Sequence, residues 1–272
     1  MMPGTDRVAG GGVGAVTRGS GPMSWTSAIE PIPAIRTDPD RLRLSLFDGW
    51  RLEVAGRVAV MPVMAQRLIA YLALHGTTTR PHVAGTLWPA VDEDRAAGNL
   101  RSTMWRIRKH RQHLISDNGG VLALCPEAEV DVTEFTTRAR DIVVGRVNVD
   151  LATLLPHHRG ELLPGWYEDW VVFERERLRQ LRLHALDVAA LALAQRRRYA
   201  EALDLALTAV TSDPLRESAH RTVILIHLAE GNVHEAVRSY LAYSRILEEE
   251  LGVRPGADLH DLLTDAGVEL PG

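Results

Sequence analysis

The densest functional chemistry in the sequence is a run of cations. Arg95, Arg101, Arg106, Arg108, Lys109 and Arg111 fall in one stretch, with no acid among them. Wound as a helix at roughly 100° per residue, this stretch puts Leu100, Met104, Ile107 and Leu114 on one apolar stripe. Arg95, Gly98, Arg101, Ser102, Trp105, Arg106 and Lys109 take the opposite face. A helix that is apolar along one stripe and cationic along the other suits the major groove of DNA. Its cations meet phosphates and base edges, and its small residues let the backbone come close. A solvated basic face would explain the charge as simply, but such faces seldom carry a tryptophan. A membrane-surface helix would need several exposed apolar residues, and Trp105 is the lone candidate.

Other chemistry is poorly represented. His157 and His158 are adjacent, so they cannot share a helix face as metal ligands. His220, His227 and His234 recur at sevens, a spacing that reads as helix surface or packing. No HExxH, GxSxG or GxxxxGK motif occurs. The GGGVG run at 10–14 has neither a strand before it nor a helix after it, so it is not a phosphate loop. Cys125 has no evident base and reads as a packed thiol. Glu168-Asp169 and Glu248–Glu250 read as solvated helix charge. The expectation is therefore no enzymatic activity, no metal and no cofactor.

The elements that must hold the cationic helix are legible. Residues 1–40 are rich in Gly and Pro without periodicity and read as a disordered tail. From Arg41 the pattern alternates. Leu42, Leu44 and Leu46 share one face, Trp50, Leu52 and Val54 another, and RVAV follows, so three antiparallel strands are predicted. A helix over 63–75 then buries Met64, Leu68, Tyr71 and Leu72 and stops at Gly76. A second covers about 80–88, with Pro81 in its first turn and Pro89 beyond its end. The third opens on Asp92, Glu93 and Asp94, where the helix dipole favours anions, and extends to about Leu114. A hairpin joins Ile115 to Leu124, with Asp117 placed at its tip, where an acid would disfavour strong contact between the wing and DNA.

After Val130 nearly everything reads as helix. RRRYAEALDLALTAV and EGNVHEAVRSYLAYS align at an offset of 34, pairing Tyr199 with Val233 and Ala202 with Ala236. That is the tetratricopeptide period. Pro214 is expected to close the first unit, and flanking helices must complete the stack. Such a stack offers a groove to a partner protein, or serves as a purely structural packing module.

Charge follows the same division. The net −4 hides a segment, 41–126, with 12 basic and 6 acidic side chains, against net −9 for 127–272 and −1 for 1–40. A basic half joined to an acidic one points to nucleic-acid contact by the basic part. Thirty of the 31 cations are arginine in both halves alike, which reflects codon usage rather than function. The single cysteine and the absence of an 18-residue apolar run or a cleavable leader predict a cytoplasmic protein without a membrane span.

QRLIAYLALHG, TTRPHVAGTLWP and NLRSTMWRIRKH together resemble the OmpR-type winged helix of bacterial activators. VDVTEF, RGELLPGWYEDWVVFERERL and EEELGVRPGADLHDLL resemble the bacterial transcriptional activator domain, BTAD. In combination they resemble the SARP family, the Streptomyces antibiotic regulatory proteins, over about residues 41–267. The expected fold is an α+β winged helix-turn-helix domain (41–126) followed by an all-α tetratricopeptide-like domain (127–272).

The resemblance implies a transcriptional activator that binds short direct repeats in double-stranded DNA. It also implies recruitment of RNA polymerase through sigma and other subunits, usually at secondary-metabolite genes. Carried over, it assigns Arg101, Ser102, Trp105, Arg106 and Lys109 to DNA. Arg95 joins them by its place on the same face. Arg80, opening the second helix, matches a family arginine near phosphate, and Asn99, Leu100 and Arg108 stand at further matching positions. Trp105 replaces a usually smaller residue, so the family's base preference does not carry over. No counterpart of the ATPase and sensor modules of larger members is present, so control by nucleotide or phosphorylation is not implied. The acidic half is assigned to polymerase contact and self-association, with a homodimer on DNA. The alternative is a tetratricopeptide-type interaction adaptor without DNA binding, for which an acid-free basic face would have no purpose.

Overall fold

A computed structural model of the chain describes residues 42–110, 113–146 and 160–268. The expected tail, the GGGVG run, Arg111 and His157-His158 lie outside them. The first sheet has the order β3 (Arg57–Val58), β2 (Arg51–Val54), β1 (Leu42–Ser45), β7 (Ala128–Val130). β1, β2 and β3 form the predicted antiparallel meander, with Leu44 opposite Leu52 and Leu42 opposite Val54. Leu42, Leu44, Leu46 and Leu52 are buried, as their alternation requires. β7 then adds in parallel to β1. It begins just beyond residue 126, so the sheet of the first segment is completed by the start of the second.

Three helices follow the meander: α1 (Val63–His75), α2 (Arg80–Leu87) and α3 (Glu93–His110). α1 ends where predicted, at Gly76, whose φ of 70° suits a residue without a Cβ. α3 ends earlier than the apolar spacing suggests. Leu114 is buried but sits in a bend, and its carbonyl accepts the Cys125 N–H at 2.9 Å, opening the hairpin ladder instead of continuing the helix.

The second sheet is β4-β6-β5, with β4 at Thr78–Thr79, β5 at Ile115–Asn118 and β6 at Val121–Leu124. Its two-residue loop is Gly119-Gly120, at φ of 63° and 87°. Positive φ at both positions is what a tight primed turn needs. Asp117 is therefore inside β5 and not at the wing tip, a correction to the sequence expectation. Glycine, without a Cβ, adopts both conformations freely.

The helical half runs α4 (Asp131–Val143), α5 (Asp169–Gln195), α6 (Tyr199–Ser212), α7 (Glu217–Glu230), α8 (Val233–Leu251) and α9 (Ala257–Asp265). Consecutive helices from α4 to α5 and from α5 through α8 pack on one another. The two aligned repeats are α6 and α8, the second helices of the pairs α5–α6 and α7–α8. Pro214 follows α6 and precedes α7, at the end of the α5–α6 pair, as expected. A 34-residue period has to contain α7 as well. One buried cluster extends from Leu42 to Ile226, and a second joins α7, α8 and α9 through Ile224, Tyr243, Leu259 and Leu263.

The two halves meet through aromatic rings and one segment. The Trp170 ring stands edge-on to Tyr71 at 5.4 Å, and Arg67 pairs with Glu168 at 2.6 Å. Glu168, expected as solvated charge, thus fastens α1 to the start of α5. Residues 160–163 lie along β1's end, with Leu163 N–H donating to Leu46 O and Asp48 N–H to Glu161 O.

Candidate nucleic-acid interface

α3 is positioned by its own first residues and its apolar stripe. Asp92 caps it: the Asp92 carboxylate accepts the Arg95 N–H at 2.9 Å. Glu93 and Asp94 lie in the first turn, at the positive end of the dipole. Ala96, Leu100, Met104 and Ile107 are buried against α1 and α2, together with Thr103. Each fully buried leucine or isoleucine contributes about 2 kcal/mol to holding the helix in this rotation.

That rotation presents the predicted face to solvent. Arg95, Arg101, Ser102, Trp105, Arg106 and Lys109 are all exposed, and Gly98 is half-buried. Trp105 is 64% exposed. The Lys109 ammonium lies over its ring, 5.6 Å from the centroid, which confirms that the two side chains share one edge of the helix. Among the described residues no carboxylate pairs with Arg101, Arg106 or Lys109. Arg95 makes a 3.4 Å contact with Asp92. The Ser102 hydroxyl donates to Gly98 O at 3.0 Å, which leaves its oxygen as an acceptor on that face.

Arg80 stands apart from this face. It opens α2, donates its backbone N–H to Gly120 O, and pairs through its guanidinium with Asp117. Arg108, on α3, reaches the same carboxylate at 3.3 Å. The sequence reading placed Arg80 near phosphate but had no signal for this pairing, because Asp117 lies 37 residues away.

His220 is buried, stacked on Tyr243 at 4.1 Å, with a ring nitrogen 2.9 Å from Pro214 O. Cys125 is buried. Among the described residues no group of three or more His, Cys, Asp or Glu is arranged to hold a metal ion, and no helix is long and apolar enough to cross a membrane.

A winged helix with an exposed cationic third helix, joined to a stack of paired helices, defines a transcription regulator. Residues 130–265, half of the chain, match the bacterial transcriptional activator domain. The chain belongs to the SARP family of regulators that carry this domain. It is 29% identical over 248 residues to Regulatory protein AfsR of Streptomyces coelicolor and 27% identical over 246 residues to that of Streptomyces griseus. Each match covers 85% of this chain, which spans only about a quarter of the length of those relatives. The fold is similar to that of Mycobacterium tuberculosis EmbR, solved in complex with a low-affinity phosphopeptide. The TM-score is 0.67 at 17% identity, over 85% of this chain and 66% of that one.

Proposed function

We propose that this regulator reads double-stranded DNA with the exposed face of α3 and activates transcription through its helical half. The observation that carries the reading is the division of α3. Leu100, Met104 and Ile107 are buried along one side. Arg101, Ser102, Trp105, Arg106 and Lys109 stand exposed along the other, with no carboxylate partner among the described residues. Arginine and lysine on such a face supply phosphate attraction, and arginine and serine can bond base edges in the major groove. Arg95 stands beside the face and serves phosphate, while Arg80, the expected phosphate contact at the start of α2, is engaged by Asp117. Residues 41–126 act as the reader. Residues 127–272 act as the contact surface for RNA polymerase, through sigma and other subunits, and for a second copy on DNA. Short direct repeats upstream of promoters, of secondary-metabolite genes among others, are the expected sites, and the cytoplasm is the expected compartment.

The test is retention of native genome fragments on immobilised protein, followed by gel shifts with the fragments retained. Arg101→Ala with Lys109→Ala should weaken binding at least about tenfold. Lys109→Ala alone should lower the log–log salt slope by about one without altering which fragments are kept. No enrichment over sheared competitor would favour the adaptor reading. Unchanged affinity and salt dependence in the double variant would remove α3 from the interface.

A further inference from the structure

One carboxylate gathers the wing, α2 and α3 of the proposed reader. Asp117 Oδ1 accepts from Arg80 Nε at 3.3 Å, and its Oδ2 pairs with Arg80 Nη2. The same Oδ2 lies 3.3 Å from Arg108 Nη2. The Asp117 side chain is 16% exposed, against 31% for Arg80 and 50% for Arg108. The anion is largely covered, Arg80 is half-buried and Arg108 is open to solvent. Arg80 is held a second time through its backbone, by Gly120 O at 2.9 Å. Its guanidinium keeps the Asp117 carboxyl below the usual carboxylate range, so the cluster is charged at neutral pH.

Resting on the reading of α3 as the DNA-contacting helix, we propose that Asp117 is a specificity-determining residue. It keeps Arg80 and Arg108 on the protein and so limits sequence-blind attraction to phosphate. Attraction between free cations and phosphate is indifferent to base sequence and supplies most non-specific affinity. A guanidinium meets a carboxylate with the same planar fork with which it meets a phosphate. Any phosphate approaching Arg80 or Arg108 must therefore compete with Asp117. Arg101, Arg106 and Lys109 face no such competitor among the described residues. The cations thus fall into two sets. One is free to meet DNA, and the other is spent on docking β5 against the start of α2 and the last turns of α3. This accounts for an acid within a hairpin that lies beside an otherwise acid-free helix face.

The experiment uses the full chain with two duplexes: a random sequence of about 30 bp and a genome fragment retained by the wild type. Affinity is measured from about 50 to about 200 mM salt. Asp117→Asn should bind the random duplex about threefold or more tighter at the low-salt end. It should steepen the log–log salt slope by about one to two and reduce the preference for the retained fragment. Asp117→Glu, which keeps the anion, should stay close to the wild type. An unchanged or shallower slope in folded Asp117→Asn overturns the proposal. If that variant does not fold, Arg108→Gln decides. With Arg108 already held, its loss should change the slope by less than about 0.3, and a drop of about 0.9 overturns the proposal. Failure of the wild type to bind either duplex removes the DNA reading and this role with it. The variant outcomes strike this role alone.

Discussion

The Asp131 carboxylate accepts the backbone N–H of Leu46 at 2.9 Å, across 85 residues of chain. It also accepts from Phe47 N–H at 3.1 Å, just beyond the end of β1, and from Val132 N–H within its own helix. One side chain at the start of α4 therefore satisfies the end of the first sheet. Because β7 also pairs with β1, the winged helix and the helical half are joined by backbone as well as by side chains. Asp131→Ala leaves buried amides without an acceptor, a cost of about 1–3 kcal/mol. The expected result is a lower urea midpoint with the transition still single. Loss of only the near-ultraviolet signal of one half would show that the halves unfold independently.

Arg175 secures the segment that lies along the same strand end. Its guanidinium donates to Leu162 O at 3.0 and 3.1 Å, to Leu163 O at 3.1 Å and to Trp166 O at 3.2 Å, and it pairs with Glu161 at 2.8 Å. A fork of fixed donors reaches several carbonyls at once, which a single ammonium cannot. Arg175→Lys should therefore cost about 1–3 kcal/mol although the charge is kept. Proteolysis should quicken within 160–168 before the rest of the chain is cut. Equal urea midpoints for the two proteins would reduce this knot to ornament.

Acid should loosen the helical half through His220. Burial against Tyr243 lowers its pKa below the ordinary histidine value. The unfolded chain therefore takes up a proton at this ring at a pH where the folded chain does not. Stability is fully present above the unfolded value of about 6.5 and declines as pH falls below it toward the folded value. His220→Gln has no proton to take up and can still donate to Pro214 O. The drop in urea midpoint between about pH 7.5 and about pH 5.5 should shrink in that variant. An identical pH dependence in both proteins would assign the acid sensitivity elsewhere.

The elements that carry a local period were legible in the sequence. α1 was readable from Leu68, Tyr71 and Leu72 together with Gly76, although Met64, expected in its core, is only half-buried, and the exposed face of α3 was readable from its acid-free spacing. What escaped depends on residues far apart in the chain. Leu114 keeps the apolar interval of α3, yet hairpin pairing with Cys125 competes for its carbonyl and wins. β7 is three residues long and pairs in parallel with a strand more than eighty residues earlier, so no neighbouring pattern announces it. In sequence Asp117 reads as a lone acid at the hairpin tip. Its two arginines come from α2 and α3, and only the folded helices bring them together.

Trp105 gives the sharpest test of the proposed interface, because its fold role and its binding role separate cleanly. At 64% exposure it buries little on folding, and the Lys109 ammonium over its ring adds about 0.5–1 kcal/mol at most. Trp105→Ala should therefore shift stability by no more than about 1 kcal/mol. In a groove, by contrast, the ring would be covered on both faces, by the duplex and by the Lys109 stem, and would orient the ammonium toward phosphate. Its loss should weaken binding to a retained genome fragment about tenfold, equivalent to about 1.4 kcal/mol. Trp105→Phe, which keeps a face for the cation, should recover part of that loss. Equal affinities for the alanine variant and the wild type would mean that the ring stays in solvent when DNA is bound. Arg101 and Arg106 would then have to carry the contact without it.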